Sequence, residues 1–172
     1  GLGHTVLNPA LPHDDFELSM QIAQEEIDNE HPDIVVGSSR GGAIGMALDL
    51  QGARLILIAP AWKRFDVGPK APAGTKVLHC TSDDQVYYED SEDIQGEPEL
   101  IPCGDNHRMS DNDALEALGD AVGSPVLWLR LRQGWGTNRD HCLDVWTSWK
   151  PGGECIAFSH RERWRGGCGG WW

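Results

Sequence analysis

Residues 33–47, Asp-Ile-Val-Val-Gly-Ser-Ser-Arg-Gly-Gly-Ala-Ile-Gly-Met-Ala, constrain the fold more than any other part of the chain. A β-branched apolar run stops at Gly37, a small polar turn follows, and a segment of good helix formers begins. That is strand, tight turn, helix. The turn reads G-x-S-x-G with Ser39 at its centre. A serine held in such a turn takes a strained backbone conformation, and bulky neighbours would collide with the adjacent strand and helix, so glycines flank it. The helix beyond Ser39 directs the positive end of its dipole and its first N–H groups back toward the serine.

A strand–turn–helix with this pattern is the setting of a nucleophilic serine. The hydroxyl is a poor nucleophile until a base takes its proton, and the base needs an acid to orient it. In the α/β-hydrolases, whose serine turn this one resembles, those partners follow in the order acid, then histidine. Residues 75–80 read as a strand running into Asp83 and Asp84, and residues 98–103 as another running into His107. Ser39, Asp83 and His107 therefore occur in that order, each just past a strand. Plainer readings stand beside these. Ser39 also suits an ordinary Gly-rich turn capping a helix. Asp83 and Asp84 also read as a turn and a helix N-cap before residues 87–94, and for Asp84 that reading is preferred. His107 also reads as a surface loop histidine, and the Arg40 side chain as a solvated group whose backbone N–H is the part that matters, as an oxyanion donor.

Three segments together resemble a small, nearly lidless α/β-hydrolase of the serine-esterase type. They are Val-Val-Gly-Ser-Ser-Arg-Gly-Gly (35–42), Leu-His-Cys-Thr-Ser-Asp-Asp-Gln-Val (78–86) and Gly-Asp-Asn-His-Arg-Met (104–109). The second is similar to the family's H-G-x-x-D-D-x-V segment, with Cys80 where glycine is usual, and the third to its G-x-x-H loop. The resemblance covers residues 4–123. It implies a catalytic triad of Ser39, Asp83 and His107, an oxyanion hole using the Arg40 N–H, and no metal or organic cofactor. It also implies an opening strand and an H-G loop before residue 1, so the chain reads as an N-terminally incomplete hydrolase.

The rest of the body fits that outline. His4–Leu7 is a short strand. Asp14 or Asp15 caps a helix to Asn29 with Phe16, Met20, Ala23 and Ile27 on one face, and His31-Pro32 ends it. A helix over 40–51, a strand over 54–59, a short helix over 88–94 and a helix over 111–122 complete it. Alternating strands and helices predict a three-layer α/β/α fold around a mostly parallel sheet, with catalytic groups at the carboxyl ends of the strands. The slot where larger hydrolases carry a lid holds only residues 60–74, with three prolines and two glycines. That predicts an open site with a short or absent lid. Trp62 and Phe65 in this loop either line a substrate pocket or pack the loop onto the domain.

Charge divides the chain at residue 123. Residues 1–123 carry seven Lys/Arg against 23 Asp/Glu, and residues 124–172 seven against four, which accounts for the formal net charge of −13. An acidic body argues against nucleic-acid binding, which needs a basic surface to neutralise phosphates. No stretch is apolar enough to span a membrane, and no secretory signal is visible. The five cysteines are an odd number without paired spacing, and Cys80 and Cys103 at the ends of apolar runs read as buried thiols. A cytoplasmic, reducing location suits them. Residues 124–172 hold seven of the eight tryptophans and eight glycines without a sustained apolar period, and read as a poorly ordered tail in which only Leu127–Leu131 suggests an edge strand. His141, Cys142, Cys155, His160 and Cys168 would be zinc ligands in a metal-binding reading, but the cysteines are 13 apart and lack the close pairs of structural zinc sites. Arginines interleaved with tryptophans also admit a single-strand nucleic-acid reading, which ranks lower still.

The expected activity is hydrolysis of small carboxylic esters through an acyl-enzyme. The alternatives are thioester hydrolysis or acyl transfer on the same triad, or a non-catalytic α/β-hydrolase-like binding module. Phosphate binding at Gly37–Gly42 ranks lower, because the turn lacks the Gly-Lys-Ser/Thr end of a P-loop.

Overall fold

Alternation along one strand sets the layers. In the computed structural model, which describes residues 4–123 and 156–161, strand β3 (Arg54–Ile58) turns Leu55 and Leu57 to one face and Ile56 and Ile58 to the other. All four are buried. A strand apolar on both sides needs cover on both sides. On the first face, helices α1 (Phe16–Glu30) and α2 (Arg40–Ala47) supply Ala23, Ile27, Ala43 and Ile44, packed with Val35 and Val77. On the second, helix α4 (Asn112–Val122) supplies Ala114 and Ala121 against Ile34, Ile56 and Leu78. Each fully buried Leu or Ile contributes about 1.5–3 kcal/mol, so β3 is the strand that joins the two half-cores.

Strands β2 (Ile34–Ser38), β3, β4 (Lys76–His79) and β5 (Glu99–Pro102) form a parallel array in that order. The expected α/β arrangement is therefore present, a parallel sheet between helices. Ser38 pairs with Ile58, Ile58 with Leu78, and His79 with Pro102, so the carboxyl ends of all four strands reach one edge together. Ser39, Asp83 and His107 each leave from that edge.

The local signals explain most boundaries. Asp15 is the N-cap of α1 and its carboxylate accepts from the Leu18 N–H at 2.9 Å. His31, at φ 49°, closes that helix with its N–H on the Ile27 carbonyl. Helix α2 is shorter than the sequence predicts, because Leu48 is already extended and residues 50–53 form a turn, closed by the Ala53 N–H on the Leu50 carbonyl, with positive φ at Gln51 and Gly52. Gln24 of α1 holds the residue before that turn, Asp49, through both its backbone groups. Short helix α3 (Tyr88–Glu92) starts after Tyr87, so Asp84 is an exposed turn residue and not its N-cap.

The sheet extends past β2 in a way the sequence reading did not include. Strand β6 (Ile156–Arg161) lies antiparallel between β2 and β1 (His4–Leu7), giving the order β1-β6-β2-β3-β4-β5. Part of the expected tail is thus a strand of the sheet. The edge strand expected at Leu127–Leu131 and the remainder of 124–172 lie outside the described residues. Among the described residues, no helix is long and apolar enough to cross a membrane.

Candidate active site

Ser39 occupies a backbone conformation that side chains disfavour, φ 52° and ψ −114°. Such a residue costs about 1–3 kcal/mol and persists only where its surroundings over-determine it. Four backbone hydrogen bonds do so. The Ser39 N–H donates to Ile58 O at 2.8 Å, and the Ser39 carbonyl accepts from Gly42, Ala43 and Ala61. The flanking glycines allow the close approach. A Cβ on Gly37 would lie 2.4 Å from the Gly41 carbonyl oxygen, and one on Gly42 would lie 2.8 Å from Pro60 Cβ. Gly37, which opens G-x-S-x-G, and Gly42, just beyond it, are therefore needed for space, since neither has a positive φ.

The three residues expected to act together do meet. Ser39 Oγ is 3.1 Å from His107 Nε2, and His107 Nδ1 is 2.6 Å from Asp83 Oδ2. A carboxylate only accepts, so the Nδ1–H of His107 donates to Asp83, and the lone pair of Nε2 faces the serine hydroxyl. The Asp83 side chain is fully buried, while that of His107 keeps a small exposed edge. Burial opposes ionisation of Asp83. Hydrogen bonds from the backbone N–H groups of Val86 (3.0 Å) and Gln85 (2.8 Å), and from His107, outweigh it and hold the carboxyl below its ordinary value. Asp83 thus combines the turn role and the pairing role that the sequence left as alternatives.

A fourth polar side chain belongs to this cluster. His79, at the end of β4, is fully buried. Its Nε2 lies 3.2 Å from Asp83 Oδ2 and 3.1 Å from the Val86 carbonyl, and its Nδ1 lies 2.7 Å from Ser91 Oγ of α3. Burial pushes the His79 imidazolium toward losing its proton, more strongly than the Asp83 charge opposes this. His79 lies in the 78–86 segment, where no role was expected of it. The available signal was a histidine four residues before the candidate acid at the end of an apolar strand.

Arg40 corrects the expectation of a solvated side chain, because it is 3 % exposed. Its guanidinium Nη2 donates to Pro12 O (2.9 Å), Asp15 O (3.1 Å) and Ser19 Oγ (2.8 Å), and it lies over the rings of Phe16 and Phe65. It therefore ties the start of α2 to the start of α1. Its backbone N–H opens helix α2 directly after Ser39.

The residues of the 60–74 loop separate. Trp62 lies in a 3₁₀ turn (Trp62–Phe65), buried in the α1/α2 core, with its indole N–H donating to Asp90 O at 2.8 Å. Trp62 thus packs the loop onto the body. Phe65 stacks on Phe16, with centroids 4.7 Å apart, and lines a cleft of about 710 Å³ with Met20, Met46, Val67 and Lys70. None of Ser39, Asp83 and His107 lines that cleft. The loop is also bound to the body through the Lys70–Gln95 bridge.

Cys80 and Cys103 are buried free thiols, as the sequence suggested. Among the described residues, no group of three or more His, Cys, Asp or Glu is placed to hold a metal ion. The side chains of His141, Cys142, Cys155, His160 and Cys168 lie outside the described residues. Comparison of the chain with family models, with curated proteins and with solved structures finds no match.

Proposed function

We propose that this chain is a serine hydrolase, of the α/β-hydrolase type, acting on small carboxylic esters. The observation that carries the reading is the hydrogen-bonded line from Ser39 Oγ through His107 to Asp83, at 3.1 and 2.6 Å, with the serine held in a strained turn. Nucleophile, base and orienting acid are each within hydrogen-bond reach of the next, which is the geometric requirement for the chemistry.

Ser39 Oγ attacks the ester carbonyl carbon while its proton passes to His107 Nε2. The carbonyl oxygen gains negative charge, which the Arg40 N–H at the positive end of α2 stabilises; one such donor is worth about 100- to 1000-fold in rate. The tetrahedral intermediate collapses, the carbon–oxygen bond to the leaving alcohol breaks, and the alcohol takes the proton from His107. A water then attacks the acyl-serine with His107 again as base, releasing the acid and restoring Ser39. Asp83 keeps the Nδ1–H tautomer and balances the imidazolium charge. Every step uses groups of the chain, the substrate and water, so the mechanism requires no cofactor.

Labelling with a fluorophosphonate probe, with the modified peptide mapped by mass spectrometry, tests this. The expected result is modification at Ser39 that is absent in Ser39→Ala. A folded wild-type chain that leaves Ser39 unlabelled would overturn the proposal and favour a binding module.

A further inference from the structure

We propose that His79 is a positioning residue of the active site, a neutral Nε2–H donor that fixes the Asp83 carboxylate for His107, with Ser91 holding its tautomer. The inference rests on the hydrolase reading for its catalytic consequence, while the hydrogen-bond assignment stands on geometry alone.

Both groups facing His79 Nε2 are acceptors, the Asp83 Oδ2 carboxylate oxygen at 3.2 Å and the Val86 carbonyl at 3.1 Å. A bare Nε2 lone pair there would meet two oxygens with no proton between them, so Nε2 carries the hydrogen. Its Nδ1 faces the Ser91 hydroxyl at 2.7 Å. With Nε2 protonated and the ring neutral, Nδ1 accepts and Ser91 donates. Burial of the ring favours the neutral form. The Tyr88 ring, tilted at 5.5 Å, covers the imidazole on another side.

The consequence falls on Asp83. Its Oδ1 is held by the N–H groups of Gln85 and Val86, both from its own turn. Its Oδ2 faces His107, the group it must orient, and the only other side chain bonded to Oδ2 among the described residues is His79. Without His79, rotation of the carboxylate about its bond to Cβ is restrained on one oxygen by its own turn and on the other by the base itself. A donor on β4 instead references Oδ2 to the sheet. A neutral donor also suits the reaction, since one carboxylate then faces one imidazolium when His107 takes the serine proton. A charged His79 would place a second cation against that carboxylate.

The test compares His79→Leu, which removes the donor, with His79→Gln, which returns an N–H to the Nε2 position. Each is measured for the maximal rate and the half-saturating concentration of fluorophosphonate labelling at Ser39. In parallel, the imidazole protons and nitrogens of His79 and His107 are observed by NMR, with urea unfolding as a control for folding. The expected result is a loss in maximal rate of up to about 100-fold in His79→Leu, the size that a 1 Å misplacement produces. Half-saturation should be unchanged, and His79→Gln should recover most of the rate. The His107 Nδ1–H signal should shift or broaden in His79→Leu and return in His79→Gln. A wild-type His79 protonated on Nδ1 alone would overturn the inference. So would a folded His79→Leu with wild-type labelling and an unmoved His107 signal. Where the wild-type chain itself is not labelled, the hydrolase reading fails, and the NMR comparison still decides whether His79 positions Asp83.

Discussion

Replacing Gly37 by Ala adds one methyl group where the structure has no room for it. The new Cβ would lie 2.4 Å from the Gly41 oxygen, 2.7 Å from the Gly41 carbonyl carbon and 2.9 Å from Gly42 Cα. All three are backbone atoms, so no side chain can swing aside. Reaching even a tight 3.0 Å contact requires β2 and the first turn of α2 to part by about 0.6 Å, and overpacking of this kind costs about 1–3 kcal/mol. The upper end applies, because Ser39 is pinned between β3 and α2 by four backbone hydrogen bonds that must stretch together. For a chain of this size, about 3 kcal/mol corresponds to a fall of about 6–12 °C in Tm. The same movement separates Ser39 Oγ from His107 Nε2, now 3.1 Å apart, and lowers fluorophosphonate labelling by about 100-fold. Gly68→Ala is the matched control, since a Cβ there meets nothing within 4 Å and its φ is not in the left-handed region. Urea unfolding and thermal melts of the two variants, followed by labelling rates, make the comparison. A Gly37→Ala protein with the midpoint of Gly68→Ala and wild-type labelling would refute the reasoning that links these glycines to space rather than to backbone conformation.

Other outcomes follow from single groups. Stability should fall as pH drops below the ordinary histidine value of 6.5, because burial lowers the value for folded His79 and the unfolded chain takes up a proton first; for one proton the slope is at most about 1.4 kcal/mol per pH unit. Urea midpoints at pH 8, 7, 6 and 5 measure this, and His79→Gln should flatten that limb. A second loss should begin below 3.8, where the unfolded carboxyl of Asp83 takes up a proton that the folded one, held lower by its hydrogen bonds, still resists; Asp83→Asn should weaken it. Arg40→Lys cannot reach the three acceptors and two rings that the guanidinium contacts, and should cost about 1–3 kcal/mol in urea unfolding. Iodoacetamide at pH 8 should spare Cys80 and Cys103 until urea is added, as peptide mapping would read. Both thiols are buried, and burial pushes Cys103 up to about 11.

The sequence made the frame legible wherever a local signal was backed by burial. The apolar runs of β2, β3 and β4 and the capping carboxylate at Asp14 or Asp15 each announce an element that the structure contains. The meeting of Ser39, Asp83 and His107 followed from their places past β2, β4 and β5, because parallel register carries every strand end to one edge. What stayed hidden depended on distant partners. The burial of Arg40 needs Pro12, Asp15 and Ser19 brought alongside, and no spacing near residue 40 encodes that. The role of His79 needs Ser91 from a five-residue helix. Strand β6 is six residues in a region rich in glycine and tryptophan, too short for an alternating pattern to stand out. The shortened end of α2 was a failure of propensity, since Leu48–Leu50 are acceptable in a helix and the connection to β3 overrides them.

The position of β6 has a consequence for the order in which the molecule is made. Strands β2 to β5 are joined by crossovers close in sequence, so they can pair as the chain emerges during synthesis. Strand β1 is made before all of them, yet among the described residues its sheet partner is β6, made after all of them. Until residues 156–161 arrive, the Ile-Val-Val run of β2, which carries the serine turn, presents a bare apolar edge to other chains. Late arrival of one short strand therefore joins the first part of the chain to the sheet and ends the interval in which the serine-bearing strand is open to mispairing.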